Sequence, residues 1–308
     1  MTEGFGIRRT FFLELPHRGA VSAGLNLRLS RGVIGETRQV VPGILDTLLV
    51  QSDPVRFGIM DLLDASGGMR SRDLEPKLNG LPYTKNRQGS NVLGQSSIAH
   101  LMTELRDRGV VKKREGKKDR IELTDYGKES MKAYDEYYTT VSRHSLDLLL
   151  KEAREALGER LFTRVVDDLS KPQAKEADGQ QARPFNQKVA EIMALQGDPK
   201  RLSILLAIDG ASGLSFQPVV QAIRTANNFN FAQSTVSNMI TDLGKAGLLI
   251  RAGGNRKPEY TLTDLGKVSM QGFRAYHDRL VDPLVEYWRQ CTNARFGTNI
   301  PPFQPTQD

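Results

Sequence analysis

Two runs in this 308-residue sequence place small polar side chains at the spacing of one helix face. The first is Gln95, Ser96, Ser97, His100, Thr103 and Arg106, with Ala99 among them. The second is Gln233, Ser234, Thr235, Ser237, Asn238, Thr241 and Lys245. Gln and Asn can set a donor and an acceptor side by side against adenine, and Ser and Thr can serve a base edge or a phosphate oxygen. Short side chains also let a helix backbone approach closely, and neither face meets an acidic residue before Glu104 or Asp242. Beside the first run lies a concentration of charge. Residues 106–120 hold eight basic side chains (Arg106, Arg108, Lys112, Lys113, Arg114, Lys117, Lys118, Arg120) against Asp107, Glu115 and Asp119, a net +5. Such a tip suits a phosphate backbone, although a charged hairpin that only blocks edge pairing has the same composition. The second run is followed by just Arg251, Arg256 and Lys257, on a Gly253-Gly254-Asn255 turn.

Other chemistry finds little support. His17, His100, His144 and His277 lack metal-ligand spacing, and a single cysteine, Cys291, excludes a disulfide framework or a Cys-rich zinc site. No G-x-G-x-x-G, P-loop, H-E-x-x-H or G-x-S-x-G sequence occurs. The adjacent Asp167 and Asp168 read as a solvated face. The expectation is a protein that is not an enzyme and has no metal or cofactor. No apolar run nears the about 20 residues that span a bilayer, so a soluble, cytoplasmic, nucleoid-associated protein is expected. The net charge of +7 leans towards polyanions but is thin over this length. With 39% apolar residues, the chain can bury real cores.

Comparison of the sequence with itself shows what must position the two polar faces. DPVRFGIMDLLDASG from Asp53 is matched by DPKRLSILLAIDGASG from Asp198. QSSIAHLMTELRDRGVVKK from Gln95 is matched by QSTVSNMITDLGKAGLLIR from Gln233. LTDYGKESM from Leu123 and LTDLGKVSM from Leu262 agree at seven of nine positions. The separations are 145, 138 and 139 residues, so order is kept and spacing nearly so. Each block has a physical reading. Asp53 and Asp198 are N-caps, with Pro54 and Pro199 at the first helical position. Ile98, Leu101, Met102 and Leu105, like Val236, Met239, Ile240 and Leu243, form an apolar stripe opposite the polar face. Gly109 and Gly247 stop those helices. Val110-Val111 with 120–123, and 248–250 with 259–262, predict β-hairpins. Thr124 and Thr263 then cap a further helix, with Asp125 and Asp264 in its first turn. Shorter helical pieces at 72–78 and 216–226 complete the order helix, helix, helix, hairpin, helix; 79–91 in the first copy reads as an inserted loop.

These blocks resemble the ArsR, MarR and PadR group of winged-helix transcription regulators. The resemblance rests on DPxR with its apolar run, the Gln95 and Gln233 helices, and LTDxGK, over two segments of roughly 80 residues. It departs from the metal-sensing branch in lacking a cysteine pair or histidine cluster, and from the usual single winged helix per subunit. The implied fold is mainly α with small β-hairpin wings, an α+β class, as two tandem winged helix-turn-helix domains joined by long helices. The resemblance implies third helices that enter the major groove of double-stranded DNA, and wings that meet phosphates. The expected function is sequence-specific regulation of transcription. A replication initiator, a chromosome organiser, or winged helices used as protein-interaction modules are the alternatives.

The domains expected are 45–135 and 185–291. Residues 136–184 are a helical connector ending in an exposed linker. Residues 128–169 carry Leu146, Leu149, Leu150, Ala153 and Leu157 at helical spacing. In MarR-like proteins helices so placed form dimers, so a homodimer through 136–169 or the C-terminal helix stands beside an intramolecular spacer. Phe273, Tyr276, Leu280, Leu284, Tyr287 and Trp288 read as core or interface. Residues 1–44, with six Arg against three Glu, read as an arm or hairpin, and 292–308 as a disordered or extended tail.

Overall fold

The Asp-Pro pairs begin helices as their chemistry requires. The Asp53 carboxylate accepts from the backbone N–H groups of Val55 and Arg56 at 3.1 and 2.9 Å, and Asp198 does so for Lys200 and Arg201 at 2.8 and 3.2 Å. The computed structural model describes residues 40–84, 94–114, 116, 119–169, 183, 185–211, 213–227, 232–252 and 258–302. Over these residues it is mainly helical, with two small antiparallel sheets. Among them no helix is long and apolar enough to cross a membrane.

One order of elements runs twice. Half one consists of α1 (Pro42–Ser52), α2 (Pro54–Ser66), β1 (Met69–Arg70), α3 (Ser71–Gly80), α4 (Gln95–Asp107), β2 (Val111–Lys113), β3 (Arg120–Leu123) and α5 (Asp125–Leu169). Half two consists of α6 (Gln187–Gly197), α7 (Pro199–Ala211), β4 (Leu214–Ser215), α8 (Phe216–Asn227), α9 (Gln233–Lys245), β5 (Leu249–Ala252), β6 (Glu259–Leu262) and α10 (Asp264–Phe296). The sheets have the orders β1-β3-β2 and β4-β6-β5, with Val111 opposite Leu123 and Leu249 opposite Leu262.

The turns that launch α5 and α10 are built alike. Thr124 Oγ1 donates to the Gly109 carbonyl and accepts from Gly127 N–H at 2.9 Å; Thr263 does the same with Gly247 and Gly266. A Cβ on Gly127 would lie 2.1 Å from the Val110 carbonyl oxygen, and one on Gly266 would lie 2.2 Å from that of Leu248. The glycine of LTDxGK thus admits the preceding strand against the helix.

The halves are joined through α5 against α10 and α1 against α6. Gly272 of α10 brings the Tyr137 ring of α5 within 3.2 Å of its would-be Cβ. Fully buried polar groups cross this seam in pairs. Tyr276 of α10 donates to Gln51 Oε1 of α1, and Tyr137 of α5 donates to Gln196 Oε1 of α6, each at 2.6 Å. The other end of each amide turns to its own half: Gln51 Nε2 donates to the Ser130 carbonyl at 2.8 Å and lies 3.9 Å from the Met131 sulfur, and Gln196 Nε2 lies 3.7 Å from that of Met270. Each half supplies the partner that the other's buried glutamine lacks.

Several boundaries differ from the sequence expectation. The divide at 44/45 falls inside α1, a helix not foreseen, and the divide at 135/136 falls inside α5. The connector is in part intramolecular, because Tyr137 and Val141 are buried, while Leu146 is 54% exposed further along α5. Gly158 breaks α5 with φ 72° and ψ 156°. α3 runs to Gly80 and Pro82–Thr84 form a 3-10 turn, so the loop begins later; 85–91 lie outside the described residues. The tail is not simply extended from Thr292. α10 continues to Phe296, Gly297 turns the chain left-handed, and the Ile300 carbonyl accepts from Arg289 and Asn293. Residues 1–39, and with them most of the expected arm or hairpin, lie outside the described residues, as do 303–308.

Candidate nucleic-acid interface

Gln95, Ser96, Ser97, Ala99, His100, Thr103 and Arg106 are all exposed on α4. Gln233, Ser234, Thr235, Ser237, Asn238, Thr241 and Lys245 are all exposed on α9. Opposite them Ile98, Met102 and Leu105, and Val236, Met239, Ile240 and Leu243, are buried. Burying the stripe leaves the polar face no choice but to point outward. Two members are partly committed: Thr103 Oγ1 donates to the Ala99 carbonyl at 3.1 Å and Thr241 Oγ1 to that of Ser237 at 2.9 Å, leaving their oxygens as acceptors. Neither helix has a side-chain cap, Gly94 and Ala232 standing at the N-cap positions. The first-turn N–H groups beside Gln95–Ser97 and Gln233–Ser234 therefore lack a side-chain cap, and such ends favour anions, while the Thr235 N–H donates to the Ala232 carbonyl at 3.0 Å.

Both helices stop as foreseen. Gly109 (φ 73°) and Gly247 (φ 76°) adopt the left-handed conformation, and the following Val110 and Leu248 donate back to the carbonyls of Leu105 and Leu243, both at 3.0 Å. Each chain then turns straight into its hairpin.

A clamp that the sequence alone does not announce holds each of these helices. Arg56, the arginine of DPxR, reaches from α2 to Glu104 on α4 with Nε–Oε2 3.1 Å and Nη2–Oε2 2.8 Å, while its Nη1 lies 3.1 Å from Asp53. Arg201 repeats this, with Nη2 2.6 Å from Asp242 on α9 and Nη1 2.8 Å from Asp198. Charge-assisted, forked contacts of this kind fix orientation as well as distance. Arg108 adds a second cation to Glu104 at 2.6 Å. Burial pushes the Glu104 carboxyl up, but the hydrogen bond from Arg56 and the charges of Arg108 and Arg56 outweigh it and hold it below its ordinary value. Asp46 on α1 is pushed up by burial, opposed by the charge of Arg108. The hydrogen bond to Asp242 raises Arg201 against the opposing effect of burial. The detectable signal was the acid that both helices carry just after the outward threonine, matched to the arginine of the Asp-Pro block.

The hairpins are less uniform than their composition. Lys113 is exposed without an ion pair among the described residues. Lys112 Nζ and Arg114 Nε each lie 3.6 Å from Glu122, which takes up part of their charge. Arg120 does not project as a phosphate ligand. Its Nε and Nη2 donate to the Gly68 carbonyl at 3.2 and 3.0 Å, bracing β1 to β3. At the tip Asp119 has φ 69°, a left-handed position that Asp tolerates. Lys117 and Lys118 lie outside the described residues. In half two Arg251 is exposed, Arg256 and Lys257 lie outside the described residues, and β5 also presents Ile250, 55% exposed. Among the described residues no group of three or more His, Cys, Asp or Glu is placed to hold a metal ion.

No family model matches the chain, and comparisons with curated proteins and with solved structures likewise returned no match.

Proposed function

We propose that the chain is a double-stranded DNA-binding regulator of transcription that reads sequence with α4 and α9, two winged-helix units in one polypeptide. One observation carries the reading. Both exposed faces are rich in side chains that can donate and accept hydrogen bonds, and the acid just beyond each outward threonine, Glu104 or Asp242, is held by an arginine, on a helix followed at once by a β-hairpin. In such units the helix enters the major groove and the hairpin lies along the backbone. The faces differ, with His100, Arg106 and Asp107 in half one where half two has Asn238, Gly244 and Lys245, so the two half-sites should differ in sequence. Half one, with Lys113 and its neighbours on the hairpin, supplies more of the phosphate contact.

Half two supports a second reading. With Arg251 its described basic hairpin residue and Ile250 exposed beside it, this half also fits a protein-interaction module.

The test is a gel-shift titration at several salt concentrations. The variant Lys112→Ala/Lys113→Ala/Lys117→Ala/Lys118→Ala should lose affinity alike for all DNA sequences. For every phosphate that the variant no longer neutralises, the log–log salt slope should flatten by about 0.9. Lys112, already beside Glu122, should matter least. An unchanged slope removes the first hairpin from the interface.

A further inference from the structure

The halves part company at one place where the repeat predicts likeness. In half two Asp209 of α7 pairs with Arg274 of α10, which ties the helix bundle of that half to the long helix directly. At the corresponding positions half one has Asp64 and Asp135, and Asp61 stands where half two has Leu206. Half one therefore gathers three carboxylates where half two has a neutral pair, and the Asp61 side chain is only 5% exposed.

The cation comes from elsewhere in the chain. Arg183, just ahead of α6, enters this acidic pocket with Nη1 3.0 Å from Asp61, Nη2 2.7 Å from Asp64 and Nε 3.0 Å from Asp135. Its backbone N–H donates to Asp61 Oδ2 at 3.1 Å. Two residues on, the Phe185 ring packs 5.1 Å from Tyr83 and 5.4 Å from Phe57. The segment was expected to be exposed linker, since nothing local in Gln-Ala-Arg-Pro announces three acids more than forty residues away in sequence. A buried carboxylate needs a charged partner, and the fold provides Asp61 with this one.

We infer that Arg183 and Phe185 form a strap that positions the α2–α4 unit of half one against α5, the role that Arg274 plays within half two. For the helix it orients, the inference rests on the DNA-reading role of α4. Half two fixes its reading unit with its own residues. Half one depends on the docking of the segment that leads into half two, so the orientation of α4 is coupled to the path of the connector and that of α9 is not.

The test is amide hydrogen exchange on the full chain. Arg183→Ala should speed exchange in α2, α3 and α4 by at least about tenfold and leave α7–α9 unchanged, because three carboxylates lose their partner in half one alone. Adding Asp61→Leu and Asp135→Arg rebuilds the chemistry of half two and should return exchange in half one to the wild-type rate without the strap. Arg183→Lys, the milder variant, should show a smaller rise with the same distribution. An equal rise in both halves, no rise, or failure of the rebuilt pair to restore protection overturns the inference. On DNA, Arg183→Ala should weaken base preference at one half-site only. If the chain binds no DNA, the exchange pattern still decides the strap by itself.

Discussion

Gly127→Ala and Gly266→Ala should each destabilise the protein by about 3–5 kcal/mol, at the severe end for single substitutions. Propensity alone predicts the reverse, because alanine gains about 1 kcal/mol over glycine inside a helix. Steric contact decides the sign. The new Cβ would stand 2.1 Å from the Val110 carbonyl oxygen or 2.2 Å from that of Leu248, and backbone cannot swing aside as a side-chain tip can. The strand, the Thr124 or Thr263 cap and the start of the long helix must all shift together. Gly244→Ala is the matched control: its Cβ would meet nothing nearer than 3.8 Å, so it should stabilise by up to about 1 kcal/mol. Urea unfolding followed by circular dichroism measures all three. A raised midpoint for Gly127→Ala would show that the close packing of the LTDxGK turn is not what the glycine is for.

Gln51→Leu should cost about 1–3 kcal/mol, since it leaves the Tyr276 hydroxyl buried without its acceptor at nearly constant volume. Tyr276→Phe should cost a similar amount by orphaning the Gln51 carbonyl oxygen. Together they should cost less than their sum, because with both gone neither the tyrosine hydroxyl nor the glutamine oxygen is left unpaired. The loss of the Gln51 Nε2 bond to the Ser130 carbonyl is common to Gln51→Leu and the double variant. Gln196 and Tyr137 should give the same double-mutant cycle. Additive costs would mean that the crossed bonds do not couple the halves. The seam matters to function because it sets how α4 and α9 stand relative to each other, through α1 with α6 and α5 with α10.

Local chemistry was legible in the sequence wherever it determined the structure alone. Asp-Pro began α2 and α7, Gly109 and Gly247 ended α4 and α9, and the stripe of Ile98, Met102 and Leu105 showed which face of α4 turns outward. The first helix of each half escaped because α1 and α6 share little beyond the glutamine at 51 and 196, whose meaning lies in tyrosines from the opposite half. Arg120 looked like one more wing cation until the fold set a carbonyl beside it. Arg183 looked like linker for the same reason. In each case the missing information was a partner distant in sequence, and composition does not carry pairings. Arg56 with Glu104 and Arg201 with Asp242 lie between these extremes: each member was visible twice, at matching offsets, and only the bond between them was not.

The most direct measurement of the central proposal is selection of duplexes bound by the purified chain from a pool of random-sequence DNA at moderate salt. The account predicts enrichment of a site with two unlike halves centred about one helical turn, or ~34 Å, apart. Substituting His100 should change the base preference of one half, and substituting Asn238 that of the other. Recovery of duplexes with no common sequence, or of none at all, would contradict it.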